Sequence, residues 1–116
     1  MKVVYIAGPY RARTPWLVEL NIRRAEYMAL TVARLGASPL CPHTNARFFQ
    51  GVLPDSYWIN ATLELMRRSD AVMLVQGWQQ SEGSRGEVNE AKRLGIPIFD
   101  GIEQLARWIS EEEEAG

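Results

Sequence analysis

The chain has 116 residues, 47% hydrophobic and 23% charged, with a formal net charge of -1. That is the size and balance of one folded domain, which excludes a disordered chain and gives no bulk basic field for nucleic acid. One cysteine, Cys41, rules out an internal disulfide framework, and one histidine, His43, argues against a His/Cys metal cage, so neither metal nor cofactor is expected.

Eleven of the 13 basic residues are arginine, the better residue for forked contacts to phosphate or carboxylate. Residues 1–6 lack the apolar region and cleavage site of a signal peptide, and no apolar run reaches the roughly 18 residues of a membrane span. The expectation is a cytoplasmic enzyme or ligand binder that takes a small molecule and engages neither membrane nor nucleic acid.

Short β-rich runs alternate with helical patterns, the mark of an open parallel α/β sheet. The first strand covers residues 3–7 and ends at Gly8-Pro9. Thr14-Pro15 reads as an N-cap with proline at the first helical position; Ile22, Ala25, Ala29 and Val32 then recur at helical spacing, and Gly36 is the stop. A short second strand at 37–41 runs into Pro42-His43-Thr44-Asn45, read as a loop extending to about residue 54. The second helix is expected to be capped by Asp55 or Ser56, with Ile59, Leu63 and Met66 on one face and Arg67 and Arg68 in the last turn.

The third strand, 71–75, is uniformly apolar, as a strand buried on both faces should be. A Gly- and Ser-rich loop, 76–86, leads to a third helix closed by Gly95. Residues 96–99 form a fourth strand, at an edge because Pro97 cannot donate to a ladder. A last helix covers about 102–110. Residues 1–110 read as one domain, and 111–116 as an acidic tail fraying into solvent. Right-handed crossovers then give a four- to five-stranded sheet of order 2-1-3-4, whose reversal between strands 1 and 3 is where such sheets bind ligands.

Two loops meet there. The first, Gly8-Pro9-Tyr10-Arg11-Ala12-Arg13, combines close backbone approach with two cations beside a helix start, or is a tight turn with surface arginines. It has neither a dinucleotide Gly fingerprint nor a P-loop lysine. The second, from Gly77 to Val88, offers Ser81, Gly83 and Gly86 at a helix start, with Glu87 in its first turn. Ser84-x-x-Glu87 also reads as a capping box that needs no active site. His43 and Asn45 come at the same sheet edge; Tyr57 and Trp58 read as packing or a subunit contact, and Cys41 as a small core residue.

Tyr5-Ile6-Ala7-Gly8-Pro9, Pro42-His43-x-Asn45, Ser69-Asp70-Ala71-Val72 and Gly77-Trp78-x-x-Ser81-x-Gly83-x-x-x-Glu87-Val88-x-x-Ala91 resemble the nucleoside 2-deoxyribosyltransferase superfamily, over nearly the whole chain. The match is nearest its small bacterial and phage members, a DUF4406-like branch similar to deoxynucleoside 5-monophosphate N-glycosidases. The resemblance implies a flavodoxin-like or Rossmann-like three-layer sandwich, and a homodimer or higher homo-oligomer whose neighbour helps close each site.

It also implies that Glu87 attacks the anomeric carbon, oriented by Tyr5, and that the glycosyl-enzyme is resolved by water or a second base. Glutamate suits this task in being ionised at neutral pH at its reference pKa of about 4.3. Serine at position 81, with Tyr5, Gly8 and Arg11, follows the nucleotide-hydrolysing relatives, in which that serine contacts the 5-phosphate. The expected site is therefore Glu87 and Tyr5 as catalytic residues, with Gly8, Pro9, Tyr10, Arg11, His43, Asn45, Ser81 and Gly83 holding a (deoxy)nucleoside monophosphate. The family's second-helix aspartate is replaced by Thr62, which keeps open a non-catalytic nucleotide-sensing module, beside a base-exchanging transferase.

Overall fold

Apolar and β-branched runs give the strands and 3.6-residue stripes give the helices. The computed structural model describes residues 1–45, 49 and 51–116. Its strands are β1 (Val3–Ala7), β2 (Ser38–Leu40), β3 (Ala71–Leu74) and β4 (Ile98–Phe99). Its helices are α1 (Pro15–Arg34), α2 (Pro42–Asn45), α3 (Asp55–Arg67), α4 (Glu82–Leu94) and α5 (Ile102–Ala115). The strands pair in parallel in the order β2-β1-β3-β4, as expected, with β4 at an edge. No helix among the described residues is long and apolar enough to cross a membrane.

The pleat sorts the strand residues between two faces. Val4, Ile6, Ala71 and Met73 pack against Ala25 and Val32 of α1 and against Leu105 and Ile109 of α5. Tyr5, Ala7, Val72 and Leu74 face the other way, toward Met66 of α3 and Val88 and Ala91 of α4. The result is a three-layer sandwich, and the alternation alone puts Tyr5 on the α3/α4 side.

Local chemistry fixes the ends of the elements. Thr14 caps α1, its hydroxyl accepting from the Leu17 amide at 3.1 Å, and Gly36 follows the helix at φ 93°. Asp70 accepts from the Val3 amide at 2.8 Å and donates its own amide to the Val3 carbonyl at 2.8 Å, pinning the start of β1 to the start of β3. At the other end of β1, Gly8 lies against β3's exit. A Cβ on Gly8 would stand 2.7 Å from Val75 Cβ, inside contact distance. Gly8→Ala is therefore expected to cost about 1–3 kcal/mol, read as a lower midpoint in thermal unfolding followed by circular dichroism.

The strands are trimmed from the sequence reading, to 38–40, 71–74 and 98–99 in place of 37–41, 71–75 and 96–99, and four features of the helices depart from it. Residues 42–45 make a helical turn, α2, instead of a loop: Pro42 has no N–H to leave unpaired at a helix start, and Thr44 bonds the Cys41 carbonyl at 3.0 Å. Neither Asp55 nor Ser56 caps α3; Pro54 occupies that position without a side-chain bond, and Asp55 is the first helical residue. The fourth helix starts at Glu82, five residues ahead of the expected Glu87, as described below. Finally, α5 runs through the acidic segment to Ala115 instead of fraying at 110. Glutamate is a good helix former, and Lys2 lies 3.7 Å from Glu112, offsetting part of the repulsion.

Candidate active site

At the carboxyl ends of β1 and β3, beside the reversal of strand order, a cavity of about 600 Å³ opens between α3, α4 and the β1 loop. Tyr5 rises from β1 with no exposed surface, and Glu87 comes down from α4 with 8% exposure. The Tyr5 hydroxyl donates to Glu87 Oε2, joining residues 82 positions apart. Burial raises the Glu87 carboxyl to about 7, against the lowering effect of the Tyr5 hydrogen bond. Glu87 is therefore not the fully ionised group that its reference value predicts; it sits near half-ionisation at neutral pH. Burial and the neighbouring carboxylate push the Tyr5 phenol well above its usual 10, so Tyr5 stays a proton donor in this pair.

The start of α4 sets where Glu87 points. Ser81, not Ser84, is the N-cap: its hydroxyl accepts from the Ser84 amide at 3.2 Å. Glu87 thus lies in the second turn, and the Ser84-x-x-Glu87 capping box does not form, because the carboxylate reaches Tyr5 instead. Gly77, at φ 92°, turns the chain into a 3-10 segment, Trp78–Gln80, that delivers Ser81 to the cap position. Ser81 and Gly83 both line the cavity at the positive end of the α4 dipole. Capping uses the Ser84 amide, and the Arg85 amide bonds the Ser81 carbonyl, which leaves the amides of Glu82 and Gly83 as the first-turn donors with no partner inside the helix.

Gly8, Pro9, Tyr10, Arg11 and His43 complete this side of the wall. His43, 6% exposed, sits with Nε2 2.9 Å from the Pro9 carbonyl, so Nε2 carries the proton that is donated. Burial lowers its pKa below the ordinary 6.5, which keeps the ring neutral at pH 7. Tyr10 meets the same ring edge-on, centroids 5.7 Å apart. Arg11 pairs with Asp55 at 2.9 Å, both side chains about 64% exposed, joining the β1 loop to the first turn of α3. Asn45 ends α2, and its side chain lies outside the described residues.

A family model described as a domain of unknown function (DUF7768) matches residues 2–100. The chain belongs to that family. No curated protein matches it. Among solved structures it is similar to a 2-deoxyribosyltransferase from the psychrotolerant bacterium Bacillus psychrosaccharolyticus, with TM-score 0.60 and 17% identity over 83% of this chain and 69% of that one. At that identity the likeness is one of fold.

In this DUF7768 chain, α3 supplies a wall of the cavity of which the sequence reading marked only Thr62, through the resemblance. Asp55, Trp58, Ile59, Thr62 and Leu63 all line it. The spacing i, i+3, i+4, i+7, i+8 is legible as one face, but a face with Ile59, Leu63 and Met66 reads as core. Only Met66, at the lower end, is fully buried; Ile59 is 49% exposed at the upper end. Trp58 packs as expected, with the rings of Phe49 and Tyr57 against it, and it also stands in the cavity wall. Thr62 donates its hydroxyl to the Ile59 carbonyl at 3.1 Å. At the opposite end of α3, Arg67 bridges Glu90 and Arg68 bridges Glu64, so these arginines are engaged away from the cavity.

Proposed function

We propose that this protein is an N-glycosidase that cleaves the base–sugar bond of a (deoxy)nucleoside 5-monophosphate, with Glu87 as the nucleophile. The observation that carries the reading is the buried Tyr5–Glu87 pair, set in a cavity at the sheet's switch point and beside the start of α4. In the ionised form, a Glu87 carboxylate oxygen attacks the anomeric carbon as the C–N bond breaks. The base leaves with the bonding pair and takes up a proton from water. Water then attacks the same carbon, and the ester bond to Glu87 breaks, regenerating the carboxylate with overall retention.

Tyr5 positions the carboxylate. Ser81, Gly83, Gly8, Pro9 and Arg11 hold the phosphate, and Tyr10, His43 and Asn45 hold the rest of the ligand. The resemblance to the DUF4406-like branch supports the same assignment and a homo-oligomeric, cytoplasmic enzyme without cofactor. Arg11 must exchange Asp55 for the phosphate. Arg11→Ala is accordingly expected to raise KM for a monophosphate about tenfold while leaving the unphosphorylated nucleoside unchanged, as measured by initial rates on both.

The direct test is incubation with a panel of ribo- and 2-deoxyribonucleoside 5-monophosphates, followed by chromatography for free base. Release of base supports the glycosidase. A second reading, a nucleotide-sensing module, is favoured by Thr62, whose hydroxyl is engaged with its own helix and supplies no acid to a leaving base. Saturable binding without release would select that reading, and base exchange without hydrolysis would select a transferase. No binding of any nucleotide would overturn all three.

A further inference from the structure

Helix α1 carries two stripes. Ile22, Ala25, Ala29 and Val32 turn inward and pack on the sheet side. The opposite face carries Trp16, Leu20, Arg23, Tyr27, Leu30 and Arg34, at intervals of 4, 3, 4, 3 and 4 residues. That alternation keeps six side chains in one line along five turns, and it is the spacing by which one helix packs along another, knobs into holes. The folded chain leaves the line in water: Trp16 is 66%, Tyr27 70% and Leu30 49% exposed. Single apolar side chains on a surface need no explanation, but a file of them along one helix marks a contact surface.

The order of the residues says what covers it. A twofold dimer sets one patch against itself, so each residue must suit the one it meets on the copy. Laid antiparallel and centred on the level of residue 25, Trp16 meets the partner's Arg34, Leu20 meets the partner's Leu30, and Arg23 meets the partner's Tyr27. Every position is matched, with a guanidinium against each ring and leucine on leucine. Arg23 can keep its bridge to Glu19, at 3.4 Å, through the edge of the guanidinium while its face stacks. Laid parallel and in register, the same line sets Arg23 and Arg34 each on its own copy, two repulsive pairs inside the seam. In the antiparallel pair only Arg24 and Glu26 meet their copies, at the solvated rim, where salt screens them.

We infer that the outer face of α1 is a homodimer interface, in which two copies of the helix pack antiparallel about a twofold axis at the level of residue 25. The seam is about 27 Å long on helices about 10–12 Å across, which puts the contact at the small end of specific interfaces, on the order of 1,000 Å² in all. The dimer is accordingly expected to form in the micromolar range. It is a different contact from the site-closing one that the resemblance implies, because α1 lies in the layer across the sheet from Glu87. It stands whether or not the ligand is a nucleotide.

Sedimentation velocity from about 1 to 300 µM is expected to show the association. Tyr27→Arg sets arginine on the partner's Arg23 and should halve the mass at the upper concentration, while far-ultraviolet circular dichroism stays that of the parent. Adding Arg23→Tyr to Tyr27→Arg rebuilds the ring–cation pairs and should restore the mass. Disulfides read the orientation. Two copies of position 20 lie about 15 Å apart along an antiparallel pair, too far to bond, whereas position 20 faces position 30 of the copy. A mixture of Leu20→Cys and Leu30→Cys proteins should therefore cross-link, and neither protein alone.

A parent that stays monomeric at every concentration would overturn the inference. So would a monomer that binds anionic vesicles through this face, which would make the stripe a membrane contact. An oligomer whose mass Tyr27→Arg leaves unchanged uses another surface and overturns it as well, as does a Leu20→Cys protein that cross-links to itself.

Discussion

Glu87→Gln is expected to lower base release by at least about a thousandfold, and to leave a protein more stable than the parent at pH 8. The first effect follows from removing the nucleophile: the amide oxygen is too weak a base to form the glycosyl intermediate. The second follows from linkage. The Glu87 carboxyl titrates near 7 in the folded protein and near 4.5 when unfolded, because burial disfavours the charge. A raised carboxyl contributes its full stability below the unfolded value and loses it as pH rises through the folded one.

The loss amounts to about 3 kcal/mol once pH exceeds 7. Glutamine carries no charge to desolvate and can still accept from the Tyr5 hydroxyl. Its Tm advantage should therefore be small at pH 4, grow between pH 4.5 and 7, and plateau near 10 °C above that. Calorimetry at three pH values, paired with chromatography for free base, checks both halves. A variant that lost activity through misfolding would show a lower Tm at every pH.

The same burial explains what the sequence made legible and what it hid. Strand order, the switch point and the capping of α1 were all readable, since they follow from apolar runs, Thr14-Pro15 and crossover handedness. The pairing of Tyr5 with Glu87 was readable only through resemblance, because 82 residues separate them and neither spacing nor propensity links them. The start of α4 was misplaced because Gly83 and Gly86 look like loop residues. Helix propensity is a weak prior, and the Ser81 cap overrides it. Apart from Thr62, which the resemblance marks, the α3 wall is hidden for a different reason: a stripe facing a cavity has the same period as one facing a core. Ile59 and Met66 share that stripe, yet 49% of the one and none of the other is exposed. The raised Glu87 pKa had no sequence signal at all, since desolvation depends on what the fold lays over the carboxyl.

Tyr5→Phe is the sharper probe of that environment, because it removes one oxygen and keeps the ring that fills the core. The Tyr5 hydroxyl stabilises the ionised form of Glu87, and burial opposes it. Deleting the donor leaves burial unopposed, so the carboxyl titrates above its present value near 7. Only the ionised form attacks, and the acid limb of the pH–rate profile should lie near pH 7 in the parent and move toward alkaline pH in the variant. A hydrogen bond to a charged group is worth about 1.5–3 kcal/mol, so base release at pH 6 should fall roughly tenfold or more. Part of that deficit should disappear at pH 9, where the variant's carboxyl ionises too. A Tyr5 that served only to pack the sheet would behave otherwise. Its loss would lower the rate by one factor at every pH and leave the limb in place. The displacement of the limb, more than the size of the loss, assigns Tyr5 to holding the Glu87 charge.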